Sequence, residues 1–153
     1  MPRSDFLPDE VTTADLSVWS DLLPDQPRLI GASLFADLFL ADGKGAIHML
    51  EASAASIRRI AGSEVEFRQR CIEDEDGWLL RPLVERCVSA GKVPAATQCY
   101  AFTTLPLFGG KYEVDNIWLC SWAEWIRYTA VVYSQTKDLP DGSKVKIIVQ
   151  KPH

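Results

Sequence analysis

The chain has 153 residues, 47% hydrophobic and 24% charged, a composition typical of one folded globular domain. Its 16 basic and 21 acidic side chains give a net charge of −5, which argues against a general binder of nucleic-acid phosphates. It contains no apolar run of about 20 residues, and its first residues lack the apolar segment of a secretion signal. We therefore expect a cytoplasmic protein with a flexible lead-in (residues 1–11) and a single domain (residues 12–153).

The first third of the chain predicts a helix followed by antiparallel strands. Thr12 is a helix-start residue, and four apolar side chains follow it at helical spacing (Leu16, Trp19, Leu22 and Leu23). Residues 34–40 predict a core strand, and residues 42–45 predict a hairpin turn because glycine accepts the positive φ that such turns require. Residues 46–51 then predict the returning strand, and residues 56–60 predict a third strand; one turn of helix over residues 54–60 is the alternative.

The middle of the chain predicts two helices separated by an acidic segment. Ser63 and Glu66 have the spacing of a capping box, which closes the first turn of a helix. The predicted inner face of this helix consists of Val65, Phe67, Cys71 and Ile72. Residues 73–76 are all acidic and interrupt the pattern, and residues 78–90 predict a second helix that ends before Gly91.

The last third of the chain begins with its least regular stretch, residues 93–111. Residues 117–120 then predict a strand, residues 122–135 a helix capped by Ser121, and residues 144–150 a terminal strand. Three tryptophans follow these periodicities and are expected in the core (Trp118, Trp122 and Trp125). Because hairpin turns outnumber helical crossovers, we predict an α+β fold: one domain with an antiparallel sheet and helices packed mainly on one face.

No set of residues has the spacing of a catalytic, metal or cofactor site. Gly109 and Gly110 match neither of the common phosphate-binding glycine motifs, and no nucleophile turn is present. The four cysteines lack CxxC spacing, so we expect reduced and mostly buried thiols rather than a zinc site. His48 is expected to be structural, and a catalytic His48 in a small-molecule pocket is the alternative.

The acidic run is the most conspicuous charge feature of the sequence. It consists of Glu73, Asp74, Glu75 and Asp76. Adjacent carboxylates diverge, which gives weak support to a metal site. We interpret the run either as a solvated loop or as a contact for a basic partner.

One part of the sequence resembles a known family. It consists of residues 98–102 (QCYAF), 105–110 (LPLFGG) and 112–117 (YEVDNI), followed by a helix that ends near Gln135. This order of a Cys-Tyr-x-Phe segment, a Gly-Gly turn, a hydrophobic strand and a closing helix resembles the C-terminal domain of the type VI secretion immunity protein Tdi family. Residues 35–39 and 63–67 look like its opening strands and next helix start, so the resemblance covers residues 30–137.

The resemblance implies a non-enzymatic bacterial immunity protein, which binds and neutralises a secreted nuclease toxin and needs no cofactor. A surface that grips DNA is basic, so an acidic inhibitor can occupy it in place of phosphate. No direct contact with nucleic acid or a membrane is expected. The residues predicted to bind the partner are Glu73, Asp74, Glu75, Asp76, Gly109, Gly110, Tyr112, Glu113 and Asp115.

Two alternatives remain open at this stage. The first is a small-molecule-binding protein or enzyme of unknown substrate with a pocket near His48. The second is a homo-dimer that pairs through an exposed edge of the predicted strand at residues 144–150.

Overall fold

The computed structural model describes residues 4–139, which form two antiparallel sheets and three α-helices. The four-stranded sheet consists, in spatial order, of β1 (Arg28–Ala32), β2 (Leu38–Ala41), β3 (Ile47–Glu51) and β4 (Ser56–Ala61). The second sheet pairs β5 (Gln98–Phe102) with β6 (Ile117–Ser121). The helices are α1 (Glu64–Glu73), α2 (Arg81–Ser89) and α3 (Trp122–Thr136). The predicted α+β fold is confirmed.

The four-stranded sheet has an apolar core on each of its faces. Side chains alternate along β2, so that Leu38 and Leu40 belong to the larger core and Phe39 to the smaller one. α1 contributes Phe67 and Cys71 to the smaller core. α2, α3 and the β5–β6 sheet pack into the larger core. Two of the three helices therefore share one core, and α1 covers the opposite face.

The predicted hairpin and helix caps form as expected. The N–H of Asp42 donates to the Ala46 carbonyl at 2.9 Å, and Gly45 has a φ of +86° in the turn between β2 and β3. Residues 56–61 form β4 rather than the alternative turn of helix. At the start of α1, Ser63 Oγ accepts the N–H of Glu66 at 3.1 Å. These elements depend on local side-chain chemistry, which the sequence displays directly.

The helix predicted to start at Thr12 is wrong, because the segment forms two short 3-10 helices, Asp9–Thr13 and Ser17–Trp19. The hydroxyls of Thr12 and Thr13 each donate to a backbone carbonyl three residues earlier, at 2.8 Å. Such local hydrogen bonds give the backbone an alternative to continuous α-helix. The segment still buries Trp19.

Two strand predictions also need correction. Residues 34–40 are not one strand, because the N–H of Ser33 donates to the Asp37 carbonyl at 2.9 Å and Ala36 has a φ of +59°. This turn separates β1 from β2. In addition, residues 93–111 contain β5, four of whose five residues are buried. A strand buried on both faces shows no alternation of polar and apolar residues, and period-two patterning therefore misses it.

The predicted inner face of the first helix is only half correct. Phe67 and Cys71 are buried in the smaller core. Val65 and Ile72 instead lie on the outer face of α1, where 77% and 66% of their surfaces are exposed. The second helix begins at Arg81 rather than at residue 78, because Gly77 and Leu80 have positive φ angles.

Two further predictions concern the ends of the chain: the flexible lead-in at residues 1–11 and the strand at residues 144–150. The N–H of Leu7 donates to the Ala32 carbonyl at 2.9 Å, and Leu7 and Val11 are buried against the larger core. These residues belong to the segment from which we expected a flexible lead-in. The strand predicted at residues 144–150 lies outside the described residues. Among residues 4–139, no helix combines the length and the apolar character needed to cross a membrane.

Candidate protein-binding surface

The connection between β5 and β6 contains both glycines of the predicted site. We call residues 105–116 the Gly-Gly loop. Gly109 follows a short 3-10 helix (Pro106–Phe108) and has a φ of +86°, a conformation that favours glycine. Gly110 is needed for another reason, since a Cβ there would overlap the carbonyl oxygen of Thr104. The two glycines let the chain turn sharply and pack closely on the segment that leaves β5.

Polar side chains hold the Gly-Gly loop at its two ends. Asn116 Oδ1 accepts the N–H of Thr104 at 2.9 Å, and its Nδ2 donates to the carbonyls of Thr104 and Lys111, both at 2.9 Å. Lys92 Nζ donates to two further carbonyls at 2.7 Å, those of Val114 and Ile117. The loop is therefore cross-linked to its surroundings, which reduces the entropy that it loses when it binds a partner.

The Gly-Gly loop exposes three large apolar side chains. The exposed fractions are 36% for Leu107, 44% for Phe108 and 41% for Tyr112. The Tyr112 ring packs edge-on against buried Phe102, with 5.3 Å between ring centroids. Partial burial and the nearby carboxylates of Asp37 and Glu51 raise the pKa of Tyr112 to about 12, so its hydroxyl stays neutral at physiological pH. The loop thus presents a neutral apolar surface on a fixed backbone.

Two carboxylates border this apolar surface. Glu113 and Asp115 are exposed, and neither side chain makes a hydrogen bond or ion pair within residues 4–139. Unpaired carboxylates beside an apolar patch can attract a cationic partner without first breaking an internal contact. The structure therefore brings Gly109, Gly110, Tyr112, Glu113 and Asp115 into one loop.

Trp118 corrects the prediction that all three late tryptophans lie in the core. Trp118 is 46% exposed, whereas Trp125 is buried and packs edge-on against it at 6.4 Å. The alternation along β6 contains the signal for this exposure, because the preceding Ile117 points into the larger core. Exposed tryptophan is frequent among the residues that dominate binding energy at protein interfaces, so Trp118 joins the candidate residues.

The acidic run does not act as one unit. Asp74 ends α1 with a φ of +50°, and its carboxylate accepts the N–H groups of Leu79 at 3.1 Å and Arg81 at 3.4 Å. Asp76 accepts two hydrogen bonds from Arg70, at 2.7 and 3.0 Å. These two aspartates therefore shape the turn between α1 and α2.

The two glutamates of the run have a different environment. The side chains of Glu73 and Glu75 are exposed and make no hydrogen bond or ion pair with the described residues. Glu73 is the last residue of α1 and Glu75 follows the helix. α1 packs on the smaller core, whereas Tyr112 of the Gly-Gly loop packs on Phe102 of the larger core. The predicted partner-binding residues therefore occupy two surfaces rather than one.

His48 lies beside the hairpin turn. Its Nε2 lies 2.9 Å from Asp42 Oδ2, and the other Asp42 oxygen accepts the N–H groups of Lys44 and Ala46. The hydrogen bond with His48 is the largest of the contacts that lower the pKa of Asp42. A cavity beside this turn is lined by Asp42 and Gly43 but not by His48. The pair thus closes the hairpin, in agreement with a structural histidine.

The cysteines are free thiols with little access to solvent. Cys71, Cys87 and Cys99 are buried, and Cys120 is half-buried. Burial raises the pKa of Cys71 to about 11 and also raises that of Cys99, which keeps both protonated and unreactive. Within the described part of the chain, no three histidine, cysteine or acidic side chains are grouped as metal ligands would be.

A known protein family matches the part of the chain that contains the Gly-Gly loop and the acidic run. Residues 66–129 match a family described as T6SS immunity protein Tdi1, C-terminal. No curated protein matches the chain. The matched segment runs from the first turn of α1 into α3, and it contains all nine residues predicted to bind a partner. The resemblance predicted from the sequence is therefore confirmed over residues 66–129, which match the C-terminal domain of the type VI secretion immunity protein Tdi1.

Proposed function

We propose that this protein is an immunity protein that neutralises a secreted bacterial toxin by binding it directly. The observation that carries the proposal is the family match, because the matched residues include the whole Gly-Gly loop. The loop adds physical support: it is held by Asn116 and Lys92 and presents apolar side chains bordered by unpaired carboxylates. A rigid apolar patch with a charged rim is the usual anatomy of a protein interface.

We further propose that the toxin is a nuclease and that neutralisation takes place in the cytoplasm. A nuclease needs a basic surface to hold its substrate. The net charge of −5 favours encounter with such a surface, and Glu113 and Asp115 can lie where phosphates would otherwise bind. Leu107 and Phe108 then supply the apolar contact that carboxylates cannot.

The proposed activity is binding alone, without catalysis. The one histidine–carboxylate pair discussed above, His48 with Asp42, holds the hairpin turn together. Burial raises the pKa values of the three buried thiols and of half-buried Cys120, opposite to the shift that activates a nucleophilic cysteine. Neutralisation by occlusion needs no reacting group from the inhibitor.

Co-expression with the toxin tests the proposal. We expect the chain to restore growth of cells that produce the type VI effector encoded next to its gene, and to form a stable complex with that purified effector. An effector with no rescue and no complex would contradict the immunity function. If the chain binds and neutralises an effector that cleaves no DNA, the proposed immunity function stands, and the proposal that the toxin is a nuclease is wrong.

A further inference from the structure

The outer face of α1 has a pair of exposed apolar side chains that the core does not use. Val65 and Ile72 are seven residues apart, which places them on the same side of the helix about two turns apart. They are the two most exposed of the large hydrophobic side chains in the described part of the chain, at 77% and 66%. Gln69 lies between them and is also exposed. This stripe faces solvent while Phe67 and Cys71 fill the core behind it.

A negatively charged groove adjoins this stripe. It has a volume of about 210 Å³ and is lined by Glu66, Gln69, Arg70, Glu73, Glu75 and Asp76. Arg70 already bonds Asp76 at 2.7 Å and Glu66 at 3.2 Å. Four carboxylates therefore line the groove around one guanidinium, which donates to Asp76 and Glu66 and to neither Glu73 nor Glu75. The groove attracts a cation and repels phosphate.

We propose that α1 is a second contact surface for the toxin, formed by the stripe and the groove together. The inference rests on the proposed function and specifies what this part of the partner must present. The occupant is a protein segment with an arginine or lysine for the groove and an adjacent apolar side chain for Val65 and Ile72. The apolar pair favours a protein over a metal ion, and the negative charge excludes nucleic acid.

The position of α1 allows one partner to reach both surfaces. α1 packs against β4 on one face of the sheet. The start of the Gly-Gly loop (Pro106–Phe108) packs against Ala52–Ala54, which lies in the connection between β3 and β4. α1 therefore borders β4, an edge strand of the four-stranded sheet, and the Gly-Gly loop borders the connection that leads into that strand. A toxin that grips this edge would contact the loop on one side and α1 on the other.

Binding kinetics of the purified chain with the adjacent-gene effector test this inference. Val65→Ser combined with Ile72→Ser should raise Kd about tenfold, mainly through faster dissociation. Glu73→Gln combined with Glu75→Gln should slow association several-fold at low salt and much less at high salt. Val93→Ser and Glu85→Gln are matched exposed controls and should bind as the unmodified chain does.

The outcomes separate this inference from the proposed function. If the unmodified chain binds the effector, and both α1 double variants bind it equally well, then α1 is not a contact surface and only this inference is overturned. If the unmodified chain does not bind the effector, the proposed function and this inference both fail. Because all four substituted positions are exposed, thermal unfolding should show that the variants remain folded.

Discussion

Asn116 binds Thr104 through two hydrogen bonds, accepting its N–H and donating to its carbonyl, each at 2.9 Å. The same amide donates to the Lys111 carbonyl at 2.9 Å, so one side chain joins both arms of the Gly-Gly loop. The loop can present Leu107, Phe108 and Tyr112 at a fixed position because its backbone is held in this way.

We expect Asn116→Ala to lower the free energy of unfolding by about 1–3 kcal/mol, because it removes three hydrogen bonds to backbone groups. Urea unfolding would measure the change. Asn116→Asp is the isosteric comparison: it keeps an acceptor for the N–H of Thr104 but places a carboxylate oxygen against the carbonyls of Thr104 and Lys111. Its loss of stability should therefore be at least as large as that of Asn116→Ala. Equal stability of all three proteins would show that the loop does not depend on this residue.

The two glycines should respond differently to substitution. Gly109→Ala should cost about 1 kcal/mol, because alanine resists the φ of +86°, and Gly109→Asn should cost less because asparagine tolerates that region. Gly110→Ala should cost more, since its Cβ would overlap the Thr104 carbonyl. Thermal unfolding of the three variants gives the order. A Gly110→Ala variant as stable as the unmodified chain would contradict the close approach.

Asp37 should make stability fall as the pH rises. It is buried, and desolvation, assisted by the neighbouring charge of Glu51, raises its pKa well above the usual range, although Ser33 and Arg58 act in the opposite direction. Above an unfolded pKa of about 3.9, the unfolded chain releases this proton while the folded chain retains it, so the contribution of Asp37 to stability declines until the folded pKa is passed.

Asp37→Asn removes this penalty without changing the shape of the side chain. We expect the variant to be more stable than the unmodified chain near pH 7.5, with the difference shrinking toward pH 4. Urea unfolding at several pH values measures it, and Asp115→Asn, an exposed site, is the control. A variant that is less stable at every pH would show that the ionised carboxylate contributes favourably to the fold.

His48 should matter for stability and not for toxin neutralisation. His48→Ala loses the contact with Asp42 at 2.9 Å and should lower the free energy of unfolding by about 1 kcal/mol. His48→Gln can still reach the Asp42 carboxylate and should lose less. Both variants should still protect cells that co-express the toxin. If His48 were catalytic, both substitutions would abolish this protection. Loss of protection by a folded His48→Gln protein would favour an enzymatic site there.

The sequence predicts those parts of the fold that depend on residues close together in the chain. The β2–β3 hairpin follows from Gly45, and α1 begins at Ser63 because Glu66 completes its cap. β5 and the turn at Ser33 depend instead on burial and on contacts between distant segments. For example, the N–H of Tyr100 donates to the Leu34 carbonyl at 2.7 Å, and no local pattern reveals this contact.

For the candidate site, the sequence indicates which residues share a loop, and their role in binding stays a prediction. Glu113 and Asp115 follow directly from their place beside the Gly-Gly turn. The sequence does not show that Asp74 and Asp76 make internal hydrogen bonds while Glu73 and Glu75 stay unpaired. This difference depends on where Arg70 and the N–H of Leu79 lie in space. The exposure of Val65 and Ile72 was missed for the same reason, as helical spacing alone does not tell which side of α1 meets the sheet.

The affinity of a Gly-Gly loop variant for the adjacent-gene effector tests the central claim most directly. Leu107→Ser combined with Phe108→Ser removes two of the three exposed apolar side chains of the loop without touching the contacts of Asn116. Isothermal titration should show that Kd rises about tenfold or more, while Val18→Ser combined with Val93→Ser leaves it unchanged. An unchanged Kd for the folded loop variant would contradict the claim that this loop binds the toxin.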